Sequence, residues 1–163
     1  MSIKTLVVYY SFEGNTQLVA ETIAKILGAD LLKLQPEKEI GTKGFMKYFW
    51  GGRQAVMKHK PKLLPIDKNP NDYDLLIIGT PVWAFTFTPP LRTLFEEHPV
   101  QGKKIALFIT HEGVPGKIFM HLQKLLSNNK ICAELEILSP LKKDQENKSQ
   151  KIVAWANALK DKL

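Results

Sequence analysis

Residues 4–16 of the chain read K-T-L-V-V-Y-Y-S-F-E-G-N-T. The apolar run in the first half of this stretch lacks clear alternation, which predicts a strand buried on both faces. Residues 11–16 then form a short turn rich in hydroxyl and amide side chains, and apolar residues recur at helical spacing from Leu18 to Leu27. A strand, a polar turn and a helix in this order direct unpaired backbone N–H groups toward one point. The stretch therefore predicts an anion site, most often for phosphate, at the start of the helix.

The alternation of buried strands and amphipathic helices continues along the chain. Further strands are predicted at 31–34, 75–79, 104–109 and 132–138. One of the intervening helices has Thr88 as its predicted cap and Pro89 at its first position. Five strands alternating with helices predict an α/β fold with a parallel sheet covered on both faces. A strand order of 2-1-3-4-5 would bring the loops after strands one, three and four to the same edge.

Length and composition predict one soluble domain. The 163 residues, 44% of them apolar, suit a single core spanning residues 1–163. No apolar run approaches the length of a membrane span, and the N-terminus does not read as a secretory signal, so we expect a cytoplasmic protein without a membrane span. The one cysteine, Cys132, is expected to be a buried structural thiol rather than a nucleophile.

The formal charge of +7 is concentrated in one segment. Residues 36–68 contain eight basic and three acidic side chains. Within this segment, residues 45–57 read as an amphipathic helix with a basic flank, interrupted by two glycines, in an insertion of about residues 42–60 between strands two and three. Two interpretations are open: the helix packs on the body of the domain, or it serves as a mobile lid or partner-docking surface.

The turn Ser11-Phe12-Glu13-Gly14-Asn15-Thr16 resembles the phosphate loop of flavodoxins, written T/S-x-T-G-N-T. The aromatic loop after strand three and the loop after strand four fall where that family holds its flavin. The resemblance covers nearly the whole chain, with strand five uninterrupted as in short-chain members. It implies a flavodoxin-like three-layer sandwich that binds FMN.

The resemblance also implies which residues hold the cofactor. Hydroxyl, amide and backbone N–H groups of the first turn would surround the phosphate, with the side chain of Glu13 turned to solvent because a carboxylate repels a phosphate. Trp83 would stack on the ring. Phe85 and Phe87 would either line the edge of the ring or pack below it, and Phe87 is expected in the core. His111 is interpreted either as a solvated loop residue or as a group that tunes or stacks on the flavin. The full predicted set is Ser11, Phe12, Glu13, Gly14, Asn15, Thr16, Pro81, Val82, Trp83, Ala84, Phe85, Thr86, Thr110, His111, Glu112 and Gly113.

Three functions follow from the residues and the resemblance. The first is a flavodoxin-like redox protein that carries electrons between its FMN and a partner, with no catalytic side chain and no metal. Flavodoxins that act only as carriers tend to be acidic, whereas this chain is basic. The alternative is therefore an NAD(P)H-dependent reductase of quinones or other small acceptors, with the basic helix covering the substrate side. A third hypothesis, less favoured, is a basic module that binds nucleic acid or an anionic surface.

Overall fold

The computed structural model describes residues 3–39, 52–53 and 55–162. Five strands and four helices alternate along these residues, with a 3₁₀ turn at Pro70–Asp72. Residues 52, 53, 55 and 56 are also helical. The main elements are, in chain order, β1 (Thr5–Tyr9), α1 (Asn15–Leu27), β2 (Asp30–Lys33), β3 (Leu75–Pro81), α2 (Pro89–Glu97), β4 (Lys104–His111), α3 (Ile118–Leu125), β5 (Lys130–Leu138) and α4 (Gln145–Lys160).

All five strands join one parallel sheet in the order β2-β1-β3-β4-β5. β1 lies between β2 and β3, where Val8 pairs with Leu32 on one side and Ile78 on the other. Every residue of β1 is buried, as its apolar run predicts. The predicted strand order is therefore confirmed.

Two hydrophobic cores sandwich the sheet. Val8 and Ile78 face one core with apolar residues of α2 and α3, whereas Val7 and Ile77 face the other with residues of α1 and α4. Neighbouring residues of a strand point to opposite faces, so each strand contributes to both cores. This is the predicted three-layer α/β sandwich.

The strands that lead to the polar loops are longer than predicted. β3 extends through Pro81 and β4 through His111, and the two strands pair as far as Pro81 and Thr110. Pairing continues here because β4 is flanked by β3 and β5, both of which supply backbone partners. Thr110 and His111 consequently belong to a strand rather than to a loop.

The structure corrects two side-chain predictions in part. Cys132 is half-buried instead of buried, because the pairing of β4 with β5 shifts between Ile105 and Ala106 and leaves Cys132 as the extra residue of a bulge. Thr88 does stand at the cap position of α2, but its side chain makes no capping bond. Its hydroxyl is instead hydrogen-bonded to that of Thr80 at 2.9 Å.

Most of the predicted basic helix, including residues 45–51, lies outside the described residues. The segments that flank the insertion are described and meet as an antiparallel bridge between Pro36 and Leu63. The N–H of Glu37 donates to the Lys62 carbonyl at 2.8 Å. The insertion thus leaves and re-enters the domain at one point.

Candidate functional site

A cavity of about 230 Å³ opens at the carboxyl ends of β1, β3 and β4. This is the edge where parallel α/β sheets bind their ligands. Residues from the three predicted loops line it, together with one residue of the basic insertion. The lining consists of Ser11, Phe12, Glu13, Asn15, Thr16, Gly52, Pro81, Val82, Trp83, Ala84, Thr110, His111 and Glu112.

The polar turn after β1 is shaped by Gly14 and Ser11. Gly14 adopts a left-handed conformation with φ of 93°, which favours glycine, and α1 begins directly after it. Ser11 Oγ accepts the N–H groups of Gly14 at 3.1 Å and Gln17 at 3.2 Å. Because both lone pairs of this oxygen are engaged, the Ser11 hydroxyl proton is left to donate elsewhere.

Asn15 is held by a residue far along the chain. Its Oδ1 accepts the N–H of Leu141, in the turn after β5, at 3.1 Å. With the carbonyl end of the amide engaged, the two N–H bonds of Nδ2 are directed away from Leu141. The side chain therefore offers donors, not acceptors, to the cavity that it lines.

Thr16 and Thr110 connect the first turn to the end of β4. Their Oγ1 atoms are 2.8 Å apart, and the residues are only 1% and 2% exposed. The carbonyl of Thr110 also accepts the N–H of Val82 at 3.0 Å. Thr110 thus contacts the polar turn through its side chain and the aromatic loop through its backbone.

The hydrogen-bond donors that line the cavity belong to neutral groups. None of the described residues that line the cavity is a lysine or an arginine. The N–H groups of Asn15 and Thr16 lie in the first turn of α1, where an α-helix supplies no carbonyl for them and carries about half a positive charge. The acidic side chains stand at the rim: Glu13 is exposed, and Glu112 forms an ion pair of 2.6 Å with Lys142. This donor set fits a phosphate group at the start of α1.

The aromatic loop after β3 is a tight two-residue turn. Trp83 and Thr86 exchange backbone hydrogen bonds of 2.9 and 3.0 Å, and both Ala84 and Phe85 have left-handed φ values, 48° and 63°. Residues with a Cβ adopt this conformation at a cost of about 1–2 kcal/mol each. The turn places Trp83 against the cavity and Phe85 outside it, 61% exposed.

The indole of Trp83 is held in place by perpendicular contacts with two aromatic rings. Tyr10 and Phe12 meet it nearly perpendicularly, with ring centroids 5.6 and 6.0 Å away. Tyr10 in turn donates a hydrogen bond of 2.6 Å to Glu39. Burial, with a smaller effect of Glu39, raises the pKa of Tyr10 well above its usual range, so the phenol keeps its proton.

His111 is a buried strand residue, so the interpretation as a solvated loop residue is wrong. Its Nε2 lies 2.9 Å from a carboxylate oxygen of Glu136 on β5. Its Nδ1 is buried with no hydrogen-bond partner among the described residues. A carboxylate at Nε2 favours the tautomer with its proton there, so Nδ1 is left as an acceptor.

Most of the predicted site residues line the cavity, but four do not: Gly14, Phe85, Thr86 and Gly113. Thr86 turns toward α3, where its hydroxyl is 3.1 Å from Nδ1 of His121. Phe87 is in the core, as predicted. Sequence reasoning missed Gly52, which lies close to Ala84. The pair Gly51-Gly52 was the available signal, interpreted only as a helix interruption.

The described ranges contain no group of three or more His, Cys, Asp or Glu side chains arranged to hold a metal ion. No helix in them is long and apolar enough to cross a membrane.

Comparisons with known proteins point to one family. A family model described as flavodoxin matches residues 4–128. No curated protein sequence matches significantly. Among solved structures, a flavoprotein from Lactobacillus acidophilus in complex with FMN is 23% identical, with a TM-score of 0.72 and 94% of this chain and 99% of that chain covered. Oxidised flavodoxin 2 from Bacillus cereus is 16% identical, with a TM-score of 0.65 and 98% and 99% covered. A flavodoxin, WrbA-like protein from Agrobacterium tumefaciens is also 16% identical, with a TM-score of 0.61 and the same coverages.

Proposed function

The chain belongs to the flavodoxin family, and from this premise we propose that it binds FMN without a covalent bond and transfers electrons between the flavin and a redox partner. The observation that carries the proposal is the donor set at the start of α1. The Ser11 hydroxyl and the Asn15 amide each have their acceptor atoms engaged elsewhere and line the cavity as donors. A dianionic phosphate needs such donors.

The second half of the cavity suits a flat aromatic ring. Trp83 supplies a wall for stacking, and its orientation is set by Tyr10 and Phe12 rather than by the ligand. A preorganised wall lowers the entropy cost of binding. FMN supplies the redox chemistry when bound, and the chain holds its phosphate, orients its ring and limits access by water. The solved complex of the Lactobacillus acidophilus flavoprotein with FMN supports this assignment.

The FMN proposal is tested by the colour and the titration of the purified protein. We expect a yellow protein that releases FMN on denaturation, and a stripped protein that takes FMN up again at one site per chain. A colourless protein that also refuses added FMN would overturn the proposal.

One observation favours the NAD(P)H-dependent reductase as a second candidate. Gly52 lines the cavity, so the basic insertion forms part of its wall and can shape access for a small acceptor or a nicotinamide. Stopped-flow mixing separates the two functions: rapid reduction of the bound flavin by NADH or NADPH alone, followed by turnover with a quinone, identifies a reductase. A flavin that accepts electrons only from a protein donor identifies a carrier.

The third hypothesis, a basic binding surface, has less support in the described part of the basic segment 36–68. Lys60 and Lys62 form ion pairs with Glu96 and Glu37, at 2.6 and 2.9 Å. Lys68 pairs with Asp67 at 2.5 Å. These pairs reduce the charge that the segment presents to a polyanion.

A further inference from the structure

One of the two hydroxyl protons of Thr16 and Thr110 takes no part in the hydrogen bond between them. Two hydroxyls carry two protons, and the hydrogen bond between them, 2.8 Å long, takes one. No other hydrogen-bond partner of either hydroxyl is found among the described residues. Both residues line the cavity, so the remaining proton is available to a ligand there.

A second threonine pair in the same fold shows what a purely structural pair looks like. The hydroxyls of Thr80 and Thr88 are 2.9 Å apart and equally buried, but neither residue lines the cavity. Thr80 donates its proton to the carbonyl of Pro81 at 2.8 Å, which leaves the proton of Thr88 for Thr80. Both protons of this pair are therefore used within the protein, unlike those of the first pair.

An anion at the start of α1 would decide which hydroxyl donates in the hydrogen bond between Thr16 and Thr110. Thr16 lies in the first turn of the helix, whereas Thr110 is one residue from the end of β4. A negative charge at the turn favours O–H dipoles that point toward it. The Thr110 hydroxyl then donates to the Thr16 hydroxyl, and the Thr16 hydroxyl donates to the anion. Hydrogen bonds in such a chain polarise and strengthen one another.

We propose that Thr110 is a positioning residue for the phosphate of the bound cofactor: it donates to Thr16 and so directs the Thr16 hydroxyl proton at the phosphate. This inference rests on the proposed function. Thr110 lies 94 residues from Thr16 and on a different element, so it adds a residue to the phosphate site that the turn motif does not contain. Through its carbonyl, which binds Val82, it also joins the phosphate end of the cavity to the ring end.

The test compares FMN with riboflavin, which has the same ring without the phosphate. Affinities of both are measured by fluorescence titration of stripped protein. For Thr110→Val we expect FMN to bind about tenfold more weakly and riboflavin to change less than about twofold. Thr110→Ser keeps the hydroxyl, so the ratio of the affinity for FMN to the affinity for riboflavin should return to its wild-type value. Thr88→Val, the matched control, should lower thermal stability and leave that ratio unchanged.

A double variant tests whether Thr110 acts through Thr16. Thr16→Val should itself reduce the ratio, and adding Thr110→Val in that background should change it no further. Equal weakening of FMN and riboflavin by Thr110→Val overturns the proposal, as does a further drop of the ratio in the Thr16→Val background. If Thr110→Val fails to fold, Thr110→Ala removes the same hydroxyl and is measured in its place.

The outcomes separate this inference from the function on which it rests. A wild-type protein that binds neither FMN nor riboflavin contradicts both proposals. A wild-type protein that binds FMN, with an unchanged ratio in Thr110→Val, contradicts the positioning role alone.

Discussion

The phenol of Tyr10 donates a hydrogen bond of 2.6 Å to the carboxylate of Glu39, 29 residues later. Tyr10 is 1% exposed and directly follows β1, whereas Glu39 belongs to the segment that leads into the basic insertion. The same phenol ring supports the edge of Trp83. The side chain of Tyr10 therefore contacts both the segment that leads into the insertion and the aromatic wall of the cavity.

Removing the phenol oxygen tests these contacts. Tyr10→Phe should lower the free energy of unfolding by about 1–2 kcal/mol at neutral pH, because a hydrogen bond to a carboxylate is lost. It should also alter the indole emission, since the ring that contacts Trp83 is no longer held in place by Glu39. Tyr73→Phe is the matched control: it loses a 2.7 Å bond to Asp30 at the opposite edge of the sheet. We expect a similar loss of stability there without a change in the emission of Trp83.

The stability difference between the wild type and Tyr10→Phe should shrink in alkali. The pKa of Tyr10 is raised from 10.0, first by burial and then by Glu39, so the folded protein binds the phenolic proton more tightly than the unfolded chain. This contribution is fully present below the unfolded pKa and is lost as pH rises above it, at up to about 1.4 kcal/mol per pH unit. Urea unfolding at about pH 8 and about pH 11 measures it. A difference that stays constant would show that Tyr10 is not buried in solution.

Asn15→Asp distinguishes the role of the Asn15 amide oxygen from the role of its N–H donors. The carboxylate keeps an acceptor for Leu141 but replaces the donor that faces the cavity with negative charge. FMN should bind at least about 30-fold more weakly, because a charge-assisted hydrogen bond is lost and a repulsion is added. Riboflavin should bind unchanged, as measured by fluorescence titration.

The control for this substitution is Asn15→Ala, which removes both contacts. It should weaken FMN binding less than Asn15→Asp does, since no charge is introduced. It should also lower the stability of the protein, because the hydrogen bond to Leu141 is lost. Equal effects of Asn15→Asp on FMN and riboflavin would place the phosphate elsewhere.

The turn at Ala84 and Phe85 stores strain that glycine relieves. Ala84 has a φ of 48°, so Ala84→Gly should raise the free energy of unfolding by about 0.5–1 kcal/mol in chemical denaturation. Ala29→Gly is the comparison, because the φ of Ala29 is not left-handed. Glycine there adds freedom to the unfolded chain and removes a methyl group that packs against the core. Destabilisation by both substitutions would argue against the left-handed turn.

Gly79 on β3 permits the ring of Phe108 to lie across the strand. A methyl group at this position would overlap the Phe108 ring. Gly79→Ala should therefore cost about 3 kcal/mol or more, read from thermal and urea unfolding. Gly113→Ala meets no atom within 4 Å and should be nearly neutral. Adding Phe108→Leu to Gly79→Ala should recover part of the loss, and no recovery would rule out the overlap as the cause.

The fold and the first turn could be predicted because their signals are local. Buried strands such as β1 carry uninterrupted apolar runs, and the helices carry apolar residues at a period of 3.6. Each element can therefore be predicted from its own residues. The turn before Asn15 requires glycine for its φ and small polar side chains for its donors, and both are readable in six residues. Strand ends were less predictable, since Thr110 and His111 become strand only through pairing with neighbours.

Residues 4–16 by themselves determined a buried strand, a polar turn and a helix, and they predict an anion site where the helix begins. Only the tertiary structure decided how that site is completed. Asn15 is held by Leu141, and Thr16 is paired with Thr110. Sequence separations of 94 and 126 residues lie between these partners, so no local pattern encodes the contacts. They exist because parallel pairing brings the carboxyl ends of β1, β4 and β5 to one edge of the sheet.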